Sequence, residues 1–191
     1  TRRQPSSSTR TDSGFALALR RMGMVLGWNA STTGAYQPRE EYYRRAIVLN
    51  RGLSLKDSLL LAADSLWIAR DAAASVRDRV SLTYQAIAVI EDAVRRYPGD
   101  PEVWYELGEA YNHEPAPIRA APDAQLAMFQ RSIALDPGFG PAYEHLPMLA
   151  MQVGRPELAR RYAAEHVRLD PTSPHAETSS LYASMLDTSA S

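Results

Sequence analysis

Two prolines, Pro137 and Pro171, stand 34 residues apart, and each closes a similar run. The runs are Ser132-Ile133-Ala134-Leu135-Asp136-Pro137 and His166-Val167-Arg168-Leu169-Asp170-Pro171. A third copy, Ala93-Val94-Arg95-Arg96-Tyr97-Pro98, ends 39 residues before Pro137. The surplus length falls in a proline-rich stretch, residues 113–122, which reads as a loop insertion. A fixed period near 34 in helical sequence marks stacked helix-turn-helix units, because one such unit cannot cover its own apolar face. Proline after each run is a helix stop, since it cannot donate the next backbone hydrogen bond. No period-2 alternation argues for strands. The expectation is an all-α solenoid of antiparallel helix pairs.

Composition agrees with a packed fold. Of 191 residues, 45% are hydrophobic and 23% charged, which argues against global disorder. The net charge of −1 gives no general attraction to nucleic acid or an anionic membrane. The charge is uneven, however. Residues 1–55 carry nine Arg against Asp12, Glu40 and Glu41, and the remainder is net acidic. Cysteine is absent, so no disulfide framework, thiolate zinc site or cysteine nucleophile is expected. The longest apolar stretch, Leu59 to Ala69, is short for a membrane span and contains Asp64. Residues 1–11 read as a flexible, basic, Ser-rich tail without an apolar signal core. The first residue is Thr1, which fits a processed product or a piece of a longer protein. Twenty of the 21 basic residues are Arg, compatible with a GC-rich bacterial source. A soluble, cytoplasmic domain is the expectation.

The residues at fixed places within the period carry a resemblance. Trp104, Leu107, Gly108 and Tyr111, followed by Phe129 and Pro137, resemble a tetratricopeptide (TPR) repeat. Tyr143, Leu146, Ala159 and Pro171 carry a next repeat, in which Pro147 replaces the usual Gly. Ala86, Ala93 and Pro98 carry a preceding second helix. Phe15, Gly23 and Leu26, then Tyr43 and Ala46, look like an N-terminal repeat. Residues 54–79 do not fit a repeat cleanly. The resemblance implies one TPR-like domain over 12–191, with units near 12–53, 54–98, 99–137 and 138–171 and a capping helix over 172–187. Asp100-Pro101 and Ser173-Pro174 read as helix starts.

In TPR arrays the first helices line a concave groove that binds a protein or peptide. That resemblance assigns Arg20, Arg21, Met24 and Trp28 to the groove from the first repeat. The central repeat gives Glu102, Tyr105, Glu106, Glu109, Asn112 and His113. The next gives Glu144, His145, Met148, Met151 and Gln152. TPR domains that clamp a C-terminal carboxylate use basic and amide side chains here. Glu102, Glu106 and Glu109 would repel one, so a basic or mixed apolar–basic partner is expected. The implied function is a non-catalytic interaction or assembly module, with an accessory subunit of a larger complex as the alternative. The 12–18 start, the 51–61 stretch, the 97–109 segment and the proline-rich insertion together also resemble the C-terminal repeat regions of some bacterial serine/threonine protein kinases and related signalling regulators. That resemblance implies a regulatory or sensory region.

Catalytic signatures are missing. His113-Glu114 does not continue into a zinc-protease helix, and no glycine-rich phosphate loop or nucleophile elbow occurs. Glu144-His145 and Glu165-His166 lie on successive helices and could face each other, read as interhelical polar residues rather than a metal site. No cofactor and no metal is expected. No nucleic-acid partner is expected either, because the N-terminal arginines lack interleaved aromatics.

Overall fold

The computed structural model describes residues 15–26, 39–115, 117–172, 175, 178–181 and 184. The expected tail (1–11) and the loop around Trp28 lie outside the described residues. Among the described residues all regular structure is helical. The helices are α1 (15–26), α2 (Arg39–Val48), α3 (Leu55–Ala72), α4 (Val76–Arg96), α5 (Pro101–Asn112) and α6 (Pro122–Leu135). A 3-10 turn (Gly140–Glu144), α7 (Leu146–Gln152) and α8 (Pro156–Leu169) follow, and residues 178–181 are helical. The chain divides into two compact units, Thr1–Ala93 and Val94–Ser191.

In the first unit, Leu19, Ala46 and Leu61 form a core that Tyr42, Ile47, Leu49 and Leu53 flank. α1 and α2 approach closely at Gly23, where an added Cβ would lie 3.1 Å from the Tyr43 ring. Residues 54–79, which fit no repeat, build all of α3 and the start of α4. Ser54 caps α3 by accepting from Asp57 N at 3.1 Å, and Ser75 caps α4 by accepting from Asp78 N at 3.0 Å.

The second unit follows the sequence pattern closely. α4, α6 and α8 end at Arg96, Leu135 and Leu169, each just short of Pro98, Pro137 and Pro171. The two Asp-Pro junctions make the same turn. Asp136 Oδ1 accepts from Gly138 N at 2.9 Å, and Asp170 Oδ1 accepts from Thr172 N at 3.2 Å. Asp100 caps α5, accepting from Glu102 N and Val103 N at 2.9 and 3.4 Å, with Pro101 in the first turn. The Ser173-Pro174 start lies outside the described residues. α5 and α6 form one helix pair and α7 and α8 another, with α6 also packed on α7. On α8 the buried residues Ala159, Ala163 and His166 recur at helical spacing and form its inward face.

The first helix of the last pair departs from the repeat. It is split into the 3-10 turn and the short α7, with His145 at the break. Pro147 is the reason. It occupies the place that Gly108 holds in α5, and in a continuous helix its ring would collide with the preceding turn.

The α5–α6 pair depends on Gly108. A Cβ there would lie 2.7 Å from the Phe129 ring, which is completely buried. Overpacking of this kind costs about 1–3 kcal/mol. The better helix propensity of Ala returns at most about 1 kcal/mol. Gly108→Ala is therefore expected to lower the urea midpoint. Gly99→Ala, with nothing within 4 Å of the added Cβ, should leave it nearly unchanged. Equal midpoints for the two variants would refute the close-approach argument.

Candidate functional site

The polar centre of the second unit lies where the end of α5 meets the break before α7. Glu109 and His113 are one turn apart on α5, so they share a face. His113 Nε2 lies 3.3 Å from Glu109 Oε2. His145 Nε2 reaches in to 2.6 Å from Glu109 Oε1. Asn112, adjacent on α5, sets its amide nitrogen 3.3 Å from His145 Nδ1. Phe129 stacks on the His145 ring at 4.9 Å between centroids and 23° between planes. The imidazole is thus held by a ring, an amide and a carboxylate. His145 is buried, Glu109 partly buried, and His113 exposed. The donor atoms of Glu109, His113 and His145 all lie within 4.8 Å of one another.

Charge follows from this geometry. Burial disfavours the Glu109 carboxylate, but the charge and hydrogen bonding of His145 and His113 outweigh it and lower its pKa from 4.5 to about 2. Burial likewise disfavours the His145 cation, yet Glu109 raises its pKa above 6.5. Burial raises the pKa of Glu144, against the pull of His145 and His175.

Glu144 and His145 therefore have separate partners. Glu144 Oε1 is 2.8 Å from His175 Nε2. His166 Nδ1 lies 2.8 Å from Ser179 Oγ, and Glu165 pairs with Arg168 on its own helix. The expected facing of the two Glu-His pairs gives way to contacts that hold the C-terminal segment. The break at Pro147 and the placement of His175 and Ser179 decide those contacts, and neither is written in the local sequence.

The remaining residues assigned by resemblance divide by burial. Tyr105 is 2% exposed, enclosed by Phe129 and Phe139 at 6.0 and 5.4 Å, so it is a core residue. Glu102 is buried as well. Glu106 and Met148 are partly buried, and Met151 and Gln152 are exposed. In the first unit Arg21 is exposed, whereas Arg20 and Met24 are buried. Arg20 Nε donates to Asp64 Oδ2 at 2.8 Å, and its Nη1 lies 3.4 Å from Met24 Sδ. An acid inside an apolar helix face needs a cation, and Arg20 supplies it. Trp28 lies outside the described residues.

Helix pairs of this form, closed by Asp-Pro turns and with a helix glycine packed against an aromatic, make an all-α helical-repeat fold. No family model matches the sequence, and no curated protein matches it. Solved structures do. TTC0263, a thermophilic TPR protein of Thermus thermophilus, is 18% identical, with a TM-score of 0.57 over 90% of this chain and 81% of its own. YrrB, a TPR protein described as having an unusual peptide-binding site, is 16% identical, with a TM-score of 0.49 over 88% and 76%. MamA of Desulfovibrio magneticus is 17% identical, with a TM-score of 0.46 over 82% and 76%. The TTC0263 match shows the all-α repeat fold. Among the described residues no helix is long and apolar enough to cross a membrane.

Two outcomes are expected. Arg20→Met takes from buried Asp64 the guanidinium 2.8 Å away, and removing one member of a buried pair costs about 3–5 kcal/mol. Chemical unfolding should show that loss, and Asp64→Leu added to it should recover much of it. The Glu109–His145 pair should shape stability against pH. The Glu109 contribution is present above 4.5 and is lost as the pH falls toward about 2. The His145 contribution is present below 6.5 and is lost as the pH rises through its raised value. Glu109→Gln should flatten both slopes in urea unfolding measured from pH 2 to 9; parallel profiles would refute the pairing.

Proposed function

We propose that the chain is a non-catalytic protein-interaction module that binds a basic or mixed apolar–basic peptide along the outer faces of α5 and α7. The observation that carries this reading is the partition of those two helices. Val103, Leu107, Gly108 and Ala110 of α5 turn into the core, as do Leu146, Leu149 and Ala150 of α7. Glu106 stays partly exposed on α5, and Met148, Met151 and Gln152 stay partly or fully exposed on α7. A carboxylate on one helix and flexible thioethers on the other suit a ligand that is both cationic and apolar. Methionine adapts its shape to an irregular apolar contact, and the carboxylate supplies selectivity by charge. Burial removes Tyr105, Glu102 and His145 from direct contact, and the partnered Glu109 is held by the histidines. The reading therefore rests on Glu106, Met148, Met151 and Gln152.

An array of immobilised peptides differing in charge and apolar content provides the test. Lys- and Arg-bearing amphipathic peptides should be retained, with binding that weakens as salt rises. The double substitution Glu106→Lys with Met151→Lys should reduce retention by about tenfold or more, the effect of losing roughly 1.4 kcal/mol. Preference for acidic peptides, or retention untouched by the double substitution, would refute the assignment.

A further inference from the structure

The Glu109, His113 and His145 cluster has more order than an interaction surface requires. We propose that these three residues form a binding site for one divalent transition-metal ion of the zinc class. Two imidazole nitrogens and one carboxylate oxygen are the donor set that zinc accepts, with the fourth position left to water. This inference is independent of the peptide-binding reading, since it concerns residues that the reading does not use.

Three observations support it. The first is spacing. Donors on a tetrahedral zinc ion, each about 2.0–2.2 Å from the metal, sit about 3.3 Å apart. Glu109 Oε2 and His113 Nε2 are 3.3 Å apart, and all three donors fall within 4.8 Å. Glu109 and His113 are fixed one helical turn apart. His113 is exposed, so it has room to adjust.

The second is a buried donor pair. Glu109 Oε1 is buried and lies 2.6 Å from His145 Nε2, closer than two ligands of one ion. Metal uptake would replace the proton between them and part the two atoms to about 3.3 Å.

The third is the surrounding support. Metal-bound histidines take their orientation from a partner at the other ring nitrogen. Asn112 stands 3.3 Å from His145 Nδ1 in that role. Turned end for end, its amide presents an oxygen to accept the Nδ1–H of a metal-bound imidazole. Phe129 fixes the ring plane by stacking, and the break at Pro147 fixes the backbone that carries it. Glu144, next in sequence and partly buried, adds negative charge near the site and offsets that of the ion.

The test uses the full chain, free of any affinity tag and stripped with a chelator. Co2+ is titrated while visible absorption is followed, then displaced by Zn2+, with calorimetry for stoichiometry. One ion per chain and the absorption of a four-coordinate nitrogen–oxygen site are expected. His113→Gln alters an exposed side chain and should leave helix content intact while weakening binding by at least about tenfold. Asn112→Ala should weaken it by about tenfold, and His166→Asn should not change it. Absence of one-to-one uptake, or uptake that survives His113→Gln unchanged, would overturn the proposal.

Discussion

The contact of the Phe129 ring with Gly108 is the constraint on which the second unit rests. Helix α5 can approach α6 this closely only because residue 108 lacks a side chain. The same ring meets Tyr105 at 6.0 Å and lies parallel to His145 at 4.9 Å. One fully buried phenyl group thus joins the helix pair, the aromatic core and the polar cluster. It also places an apolar wall against the face of an imidazole whose Nε2 edge meets a carboxylate. Burial alone would discharge both members of that pair, and their mutual attraction reverses the outcome.

A second constraint is a substitution at the equivalent place one repeat later. Where α5 has Gly108, the following helix has Pro147, and the helix breaks. The break is what brings His145 out of a regular helical register and onto Glu109. The same junction points Glu144 to His175, while His166 of α8 meets Ser179. His166 and His175 are therefore structural partners of the acid and hydroxyl beside them.

Much of the fold was legible because its signals are local. The three proline stops, the Asp100 cap and the glycine at 108 act on backbone within a turn or two, so each reads directly from neighbouring residues. The site was less legible. Tyr105 and His145 were assigned to a concave groove by analogy with a regular repeat, but Phe129 and Phe139 enclose Tyr105, and the departure at Pro147 makes the repeat around His145 irregular. Two signals were nonetheless present. Glu109 and His113 stand one helical turn apart beside Asn112, a spacing that puts a carboxylate and an imidazole on one face. Asp64 within the apolar run Leu59–Ala69 required a buried cation. Choosing Arg20 over its neighbour Arg21 needed the three-dimensional register of α1, which periodicity alone fixes only to within a residue.

The order of packing along the second unit has a consequence in time. α5 packs on α6, α6 on α7, and α7 on α8, so the extensive contacts join elements that follow one another closely along the chain. Few long loops must close before a favourable contact forms, and chains built this way reach the native state quickly. The proline-rich insertion between α5 and α6 is the exception, because it lengthens the loop whose closure brings Phe129 to Gly108. The insertion adds to the entropy lost on closing that loop, so shortening it acts on the rate of folding more than on the final packing.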